Sequence, residues 1–166
     1  MTPEKEAQQG APARQFHFSP PGVLRDEEME ALRRINRNLP ALVGRATASM
    51  LPEPLEAEVQ ELDQGGWDRA LSEASDSPVG CLFSAQPQGH RGMLTTERGL
   101  AAACVGSALG QQRAGGEPKR LTGLETRIFT RLAENVVEVL PRVWRDMGRF
   151  EVELGKYLDD PRGASP

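Results

Sequence analysis

The sequence predicts an α+β (mixed α/β) domain in which helices pack on a small, mostly antiparallel sheet, and three stretches carry that prediction. Residues 121–144 read as an amphipathic helix opened by a capping box: Thr122 stands three residues before Glu125, and apolar residues then recur at helical spacing. Within residues 26–50, Leu32, Ile35, Leu39, Leu42, Ala46 and Met50 follow at steps of three and four, so they share one face of a second helix. Between the two, residues 79–85 form a compact apolar run. A turn at 86–89 and a return at 91–95 complete the pattern of an inner strand with its antiparallel partner. Helices interleaved with hairpin-like strands give a sheet covered by helices.

The remaining elements follow in chain order. Residues 1–15 are rich in Pro, Gln, Ala and Glu and bury too little apolar surface to offset ordering entropy, so they read as a disordered tail. Phe16, His17 and Phe18, followed by Pro20 and Pro21, read as a short extended segment. Asp26, Glu27 and Glu28 favour the positive end of the first helix. Pro40 predicts a kink in it, and Arg33, Arg34, Arg37 and Arg45 read as a solvated face. After Pro52 and Pro54, Leu55, Ala57 and Val59 alternate with Glu56, Glu58 and Gln60, which predicts a half-buried strand over 55–62. A short helix is expected over 67–74, a helix over 97–109, and a flexible loop over 111–120. Gly148 ends the long helix, and 149–156 reads as a last strand. The expected division is a tail over 1–15, one partial domain over 16–158 and a flexible tail over 159–166.

Composition narrows the function. A formal charge of −4 lacks the basic footprint that general nucleic-acid binding needs, and favours a chain that meets other proteins. Aromatic residues at 5% leave a small, mostly aliphatic core. Two cysteines, Cys81 and Cys104, fall short of a disulfide scaffold, and the N-terminus lacks the basic and apolar segments of a signal peptide, so a reducing cytoplasm is expected. No stretch approaches the roughly 18 apolar residues of a membrane span.

Chemistry-bearing patterns are scarce. His17 and His90 lie far apart and neither neighbours a cysteine at ligand spacing, so no metal is expected. Cys81 and Cys104 read as small buried hydrophobes. No phosphate-binding loop of the G-x-x-x-x-G-K-[ST] form is present. Trp67 and Trp144 read as core anchors, and Asp159 and Asp160 as part of an exposed tail. No catalytic residue and no cofactor are expected.

Several segments, in order, resemble the middle domain of the flagellar motor switch protein FliM. In that family a "Y-D-F-x-x-P" element precedes a charged helix of the form L-x-x-I-x-x-x-F-A-x-x-L. Here Phe18 and Pro21 take the extended positions, and Leu32, Ile35, Leu39, Ala41 and Leu42 follow. Residues 79–110 are similar to the family's hairpin and following helix. Residues 121–147 resemble its "F-T-x-x-E-x-R-I" helix, with Trp144 at the closing aromatic. The likeness spans about 14–156. It implies half of a pseudo-symmetric FliM/CheC-like domain, truncated after the first half.

The resemblance implies a non-catalytic, cytoplasmic part of the flagellar switch ring, at the basal body, joined to the membrane through partners only. FliG-like and FliN-like switch proteins and neighbouring copies are the implied partners, with ring neighbours gripping the first helix and the 97–109 helix. The family's G-G-x-G loop contacts FliG. The collinear residues here are Gly110, Gln111, Gln112 and Arg113, with a second doublet at Gly115 and Gly116, and these six are the implied protein-binding residues. The family's N-terminal motif for the phosphorylated chemotaxis signal has no counterpart in 1–14. Three other outcomes stay open: a subunit of a type III secretion sorting platform, a CheC-like response-regulator phosphatase, and an unrelated helical adaptor, which a helical 79–95 would favour. The phosphatase needs a Glu and an Asn three apart on one helix. Arg34 and Arg37 hold the aligned positions, and Glu134 and Asn135 are adjacent, about 100° apart.

Overall fold

The computed structural model describes residues 23–73, 76–87, 89–111 and 120–164. The expected N-terminal tail and the Phe16–Pro21 segment's residues lie outside them. The helices are α1 (Asp26–Asn36), α2 (Leu39–Thr47), α3 (Trp67–Ser72), α4 (Arg98–Ala108), α5 (Gly123–Val137) and α6 (Leu140–Val143). The strands are β1 (Pro78–Gln86), β2 (His90–Glu97) and β3 (Glu151–Leu158).

Proline sets where the long helices break. Pro40 has no N–H for the carbonyl four residues back, and its ring crowds that carbonyl. The helix expected over 26–50 therefore stops at Asn36 and restarts at Leu39, with Pro40 in the new first turn where a missing donor is harmless. Pro141 does the same to the helix expected over 121–144, which divides into α5, α6 and a 3-10 turn at Arg145–Met147. The two breaks are tied together. Buried Asn36 donates its side-chain amide to the Leu32 carbonyl at 2.9 Å and accepts the Trp144 indole N–H at 3.1 Å. Trp144 in turn packs on Phe150, ring centroids 5.8 Å apart.

The sheet has the order β2-β1-β3, antiparallel on both sides, so β1 is the inner strand that its apolar run predicts. A Cβ at Gly80 would lie 2.6 Å from the Leu94 carbonyl oxygen, so the close approach of β1 and β2 there requires glycine. Val79 and Cys81 of β1 are fully buried and meet Ala101 and Val105 of α4 and Phe129 and Ala133 of α5. A smaller cluster of Leu51, Cys104 and Leu132 joins the end of α2 to the same helix pair. The capping box at α5 forms as predicted: the Glu125 N–H donates to Thr122 Oγ1 at 3.3 Å, and the Thr122 N–H donates to the Glu125 carboxylate at 2.7 Å.

Two expectations fail. Residues 55–62 form no strand. The Leu55 N–H donates to the Thr47 hydroxyl at 3.3 Å, and Ala57 and Val59 are exposed, Val59 at 43%. Alternation predicts a strand only where there is an apolar face worth burying, and a small alanine and one valine supply little. Residues 159–164, expected as tail, are held to the fold at Pro161 and Ala164 while Asp160, Arg162 and Gly163 stay exposed. Pro161 is buried in a 3-10 turn, and the Trp67 indole donates to the Ala164 carbonyl at 2.9 Å.

Candidate docking site at the α4–α5 connection

The geometry of the implied loop begins with how α4 ends. Gly110 has φ +72°, the left-handed conformation that glycine adopts without Cβ crowding. Its N–H donates to the Ser107 carbonyl at 3.0 Å and the Gln111 N–H donates to the Gly106 carbonyl at 2.8 Å, which makes a Schellman cap. The single glycine that the sequence keeps at the start of this loop is thus a helix terminator. Gly110→Ala is expected to lower stability by about 1–2 kcal/mol, read as a shift in urea midpoint at unchanged slope. Gln112, Arg113, Gly115 and Gly116 lie outside the described residues.

Asp159, which sequence reading places in a tail, gathers arginines from the start of α4 and from the far side of the loop. Arg98, at the first position of α4, sends one guanidinium N–H to Asp159 Oδ1 and another to the Asp159 carbonyl, both at 2.7 Å, and a third to Ser77 Oγ at 3.2 Å. Arg120, where the described chain resumes, reaches Asp159 Oδ2 at 3.0 Å. The Tyr157 hydroxyl donates to Asp159 Oδ1 at 3.4 Å. Arg98's hydrogen bond is the main reason that the Asp159 carboxyl sits below the usual carboxylate range, and burial is the main reason that the Tyr157 phenol sits above its own. Asp159 thus meets the first residue of α4 and, at Arg120, the described residues that lead into α5. Leu109 before the loop and Leu124 after it are 46% and 62% exposed, apolar groups presented to solvent on either side.

Among the described residues the groups able to do chemistry do not converge. Cys81 is wholly buried and burial pushes its thiol up to about 11; burial raises Cys104 too, so neither supplies a thiolate at neutral pH. Glu134 pairs with Arg131, and Asn135 donates to the Ala46 carbonyl at 3.4 Å, so the two neighbours are engaged in different directions. Arg34 and Arg37 are exposed on and just after α1. Among the described residues no group of His, Cys, Asp or Glu is placed to hold a metal ion. No described helix is long and apolar enough to cross a membrane.

An inner strand between two antiparallel neighbours, backed by α4 and α5 and flanked by the paired helix breaks, defines an α+β fold of a particular kind. It is the fold of FliM middle domains. The chain superimposes on the crystal structure of a FliG–FliM complex from H. pylori with a TM-score of 0.77, at 16% identity over 85% of this chain and 78% of that one. For the FliM middle domain of H. pylori the TM-score is 0.75, at 15% identity, over 86% and 78%. For that of Vibrio alginolyticus it is 0.63, at 18% identity, over 78% and 73%. The share of the H. pylori middle domain that is covered, 78%, is larger than the half expected from sequence. No protein-family model and no curated protein matches the chain.

Proposed function

We propose that this chain is a non-catalytic structural component of the flagellar motor switch, acting through protein–protein contacts on the cytoplasmic face of the membrane. The observation that carries the reading is the fold shared, across 85% of the chain, with a FliM that was crystallised bound to FliG. The loop of Gly110, Gln111, Gln112, Arg113, Gly115 and Gly116 is the contact to a FliG-type protein. The described residues on either side of it are placed by the Schellman cap at Gly110 and by the Arg120–Asp159 pair. Such a module works by passing rearrangement between packed faces, so its specificity comes from a few buried anchors and complementary charge at the rim. FliN-type proteins and further copies complete the set of partners. The test is retention of purified FliG-type and FliN-type switch proteins on the immobilised full chain. Retention of the FliG-type protein is expected, and retention of neither overturns the reading.

A further inference from the structure

The proline breaks open a groove on the outer side of the helices. Arg34, Ile35, Asn38 and Leu42 from the α1–α2 side face Arg142, Val143, Arg145 and Asp146 across a cavity of about 420 Å³. A second cavity of about 220 Å³ adjoins it through Arg142 and brings in Arg45 and Glu138. Arg34, Arg45, Arg142 and Arg145 are all exposed, and among the described residues none of them makes an ion pair. Four guanidinium groups against two carboxylates give this face a positive balance in a chain whose formal charge is −4.

The same chain carries the complementary surface. Glu53, Glu56, Glu58 and Glu61 are exposed along the irregular segment after α2, and none of them forms an ion pair among the described residues. The segment also bears Val59, 43% exposed, an apolar group of the size that Ile35, Leu42 and Val143 in the groove can receive. It is held at both ends: the Leu55 N–H on the Thr47 hydroxyl, and the Gln64 side-chain oxygen on the Leu24 N–H at 2.6 Å. Thr47 and Gly44, which Leu55 abuts, lie on the opposite side of α2 from Leu42 and Arg45, which line the grooves, at about 100° per residue. One molecule therefore cannot lay its own acidic segment in its own groove.

We infer that the acidic segment of one copy docks in the arginine-lined groove of the next. This contact is head-to-tail: the two surfaces differ, so successive copies build a ring if the rotation closes and a filament if it does not. It rests on the scaffold reading above and names the surface through which copies grip each other. Single exposed ion pairs contribute little, so the contact depends on several charges acting together and weakens as salt screens them.

Sedimentation velocity of the full chain over a concentration and salt series tests it. Concentration-dependent association at low salt that falls as salt rises is expected. R142E/R145E and E56K/E58K/E61K are each expected to weaken association at least about tenfold, because like charges then face one another. Mixing the two variants restores it, since a basic segment then meets an acidic groove and the remaining wild-type surfaces also match; that rescue also shows that both variants are folded. A chain that stays monomeric at low salt, or association that survives both reversals, overturns the inference. Switch-protein binding is not read in this experiment, so the two proposals fail separately.

Discussion

Phe129→Ala is expected to lower the unfolding free energy by about 3–5 kcal/mol, a large part of what a domain of this size has to spare. Phe129 is 4% exposed and sits where α5 meets both the sheet and α4. It touches Tyr157 of β3 edge to face, with ring centroids 6.0 Å apart and planes at 78°. Its removal strips the transfer energy of a whole ring and leaves a cavity between elements that backbone hydrogen bonds hold in place, so collapse into the space is limited. Aromatics are few in this chain, at 5%, and the loss also strips Tyr157 of its ring partner. Urea titration followed by circular dichroism reads the loss. A cost under about 1 kcal/mol would mean that the α5–sheet contact is not the centre of the core.

Asp159→Asn is expected to cost about 2–3 kcal/mol at neutral pH. Arg98 is 12% exposed and its guanidinium is held by the Asp159 carboxylate, the Asp159 carbonyl and Ser77. The amide keeps the shape but removes the negative charge from a cation that water barely reaches. Asp159 itself is 31% exposed, which keeps the figure below that of a wholly buried pair. The pH dependence follows from the direction of the shift. Asp159 titrates lower in the folded chain than in the unfolded one, chiefly because Arg98 bonds its ionised form. Its contribution is therefore complete above the unfolded value of about 3.9 and is lost as pH falls through that value and on through the lower native one. Glu125, held low mainly by the Thr122 backbone N–H, and Asp160, held low mainly by Arg162, lose stability in the same range. Both persist in the variant, so the difference between wild type and variant isolates Asp159. That difference should be constant from neutral pH down to about pH 5 and shrink below about pH 4. A difference that stays constant into acid would sink the clasp as an ionic one.

The helices and the central hairpin were legible in the sequence because each rests on a local signal. The Thr122–Glu125 box and the apolar run of β1 state their structure within a few residues, and both formed. The misses have physical causes of two kinds. The apolar period of residues 121–144 runs straight through Pro141, although its missing N–H divides that stretch as Pro40 divides the first helix. The alternating residues after Pro54 satisfy the period of a strand, but a strand also needs a partner edge and an apolar face, which local sequence does not supply. The candidate site was half legible. Its glycines marked a loop, but Asp159 lies 39 positions beyond Arg120 and 61 beyond Arg98, and no local pattern joins residues so far apart. A lone acidic pair in a polar stretch reads as tail until the fold delivers two arginines to it. The arginine groove was equally invisible: Arg34 and Arg45 read as a solvated face until the proline breaks bring Arg142 and Arg145 opposite them.

Docking through the α4–α5 loop is tested most directly by calorimetric titration of a FliG-type switch protein into two forms of the full chain. One is the wild type; the other carries a serine–glycine linker of equal length in place of residues 111–116, leaving the Gly110 cap and the Arg120–Asp159 contact intact. Saturable binding by the wild type, weakened at least about tenfold in the linker form, is the predicted result. No binding to either form contradicts the switch-protein reading, and equal binding to both removes the loop from it.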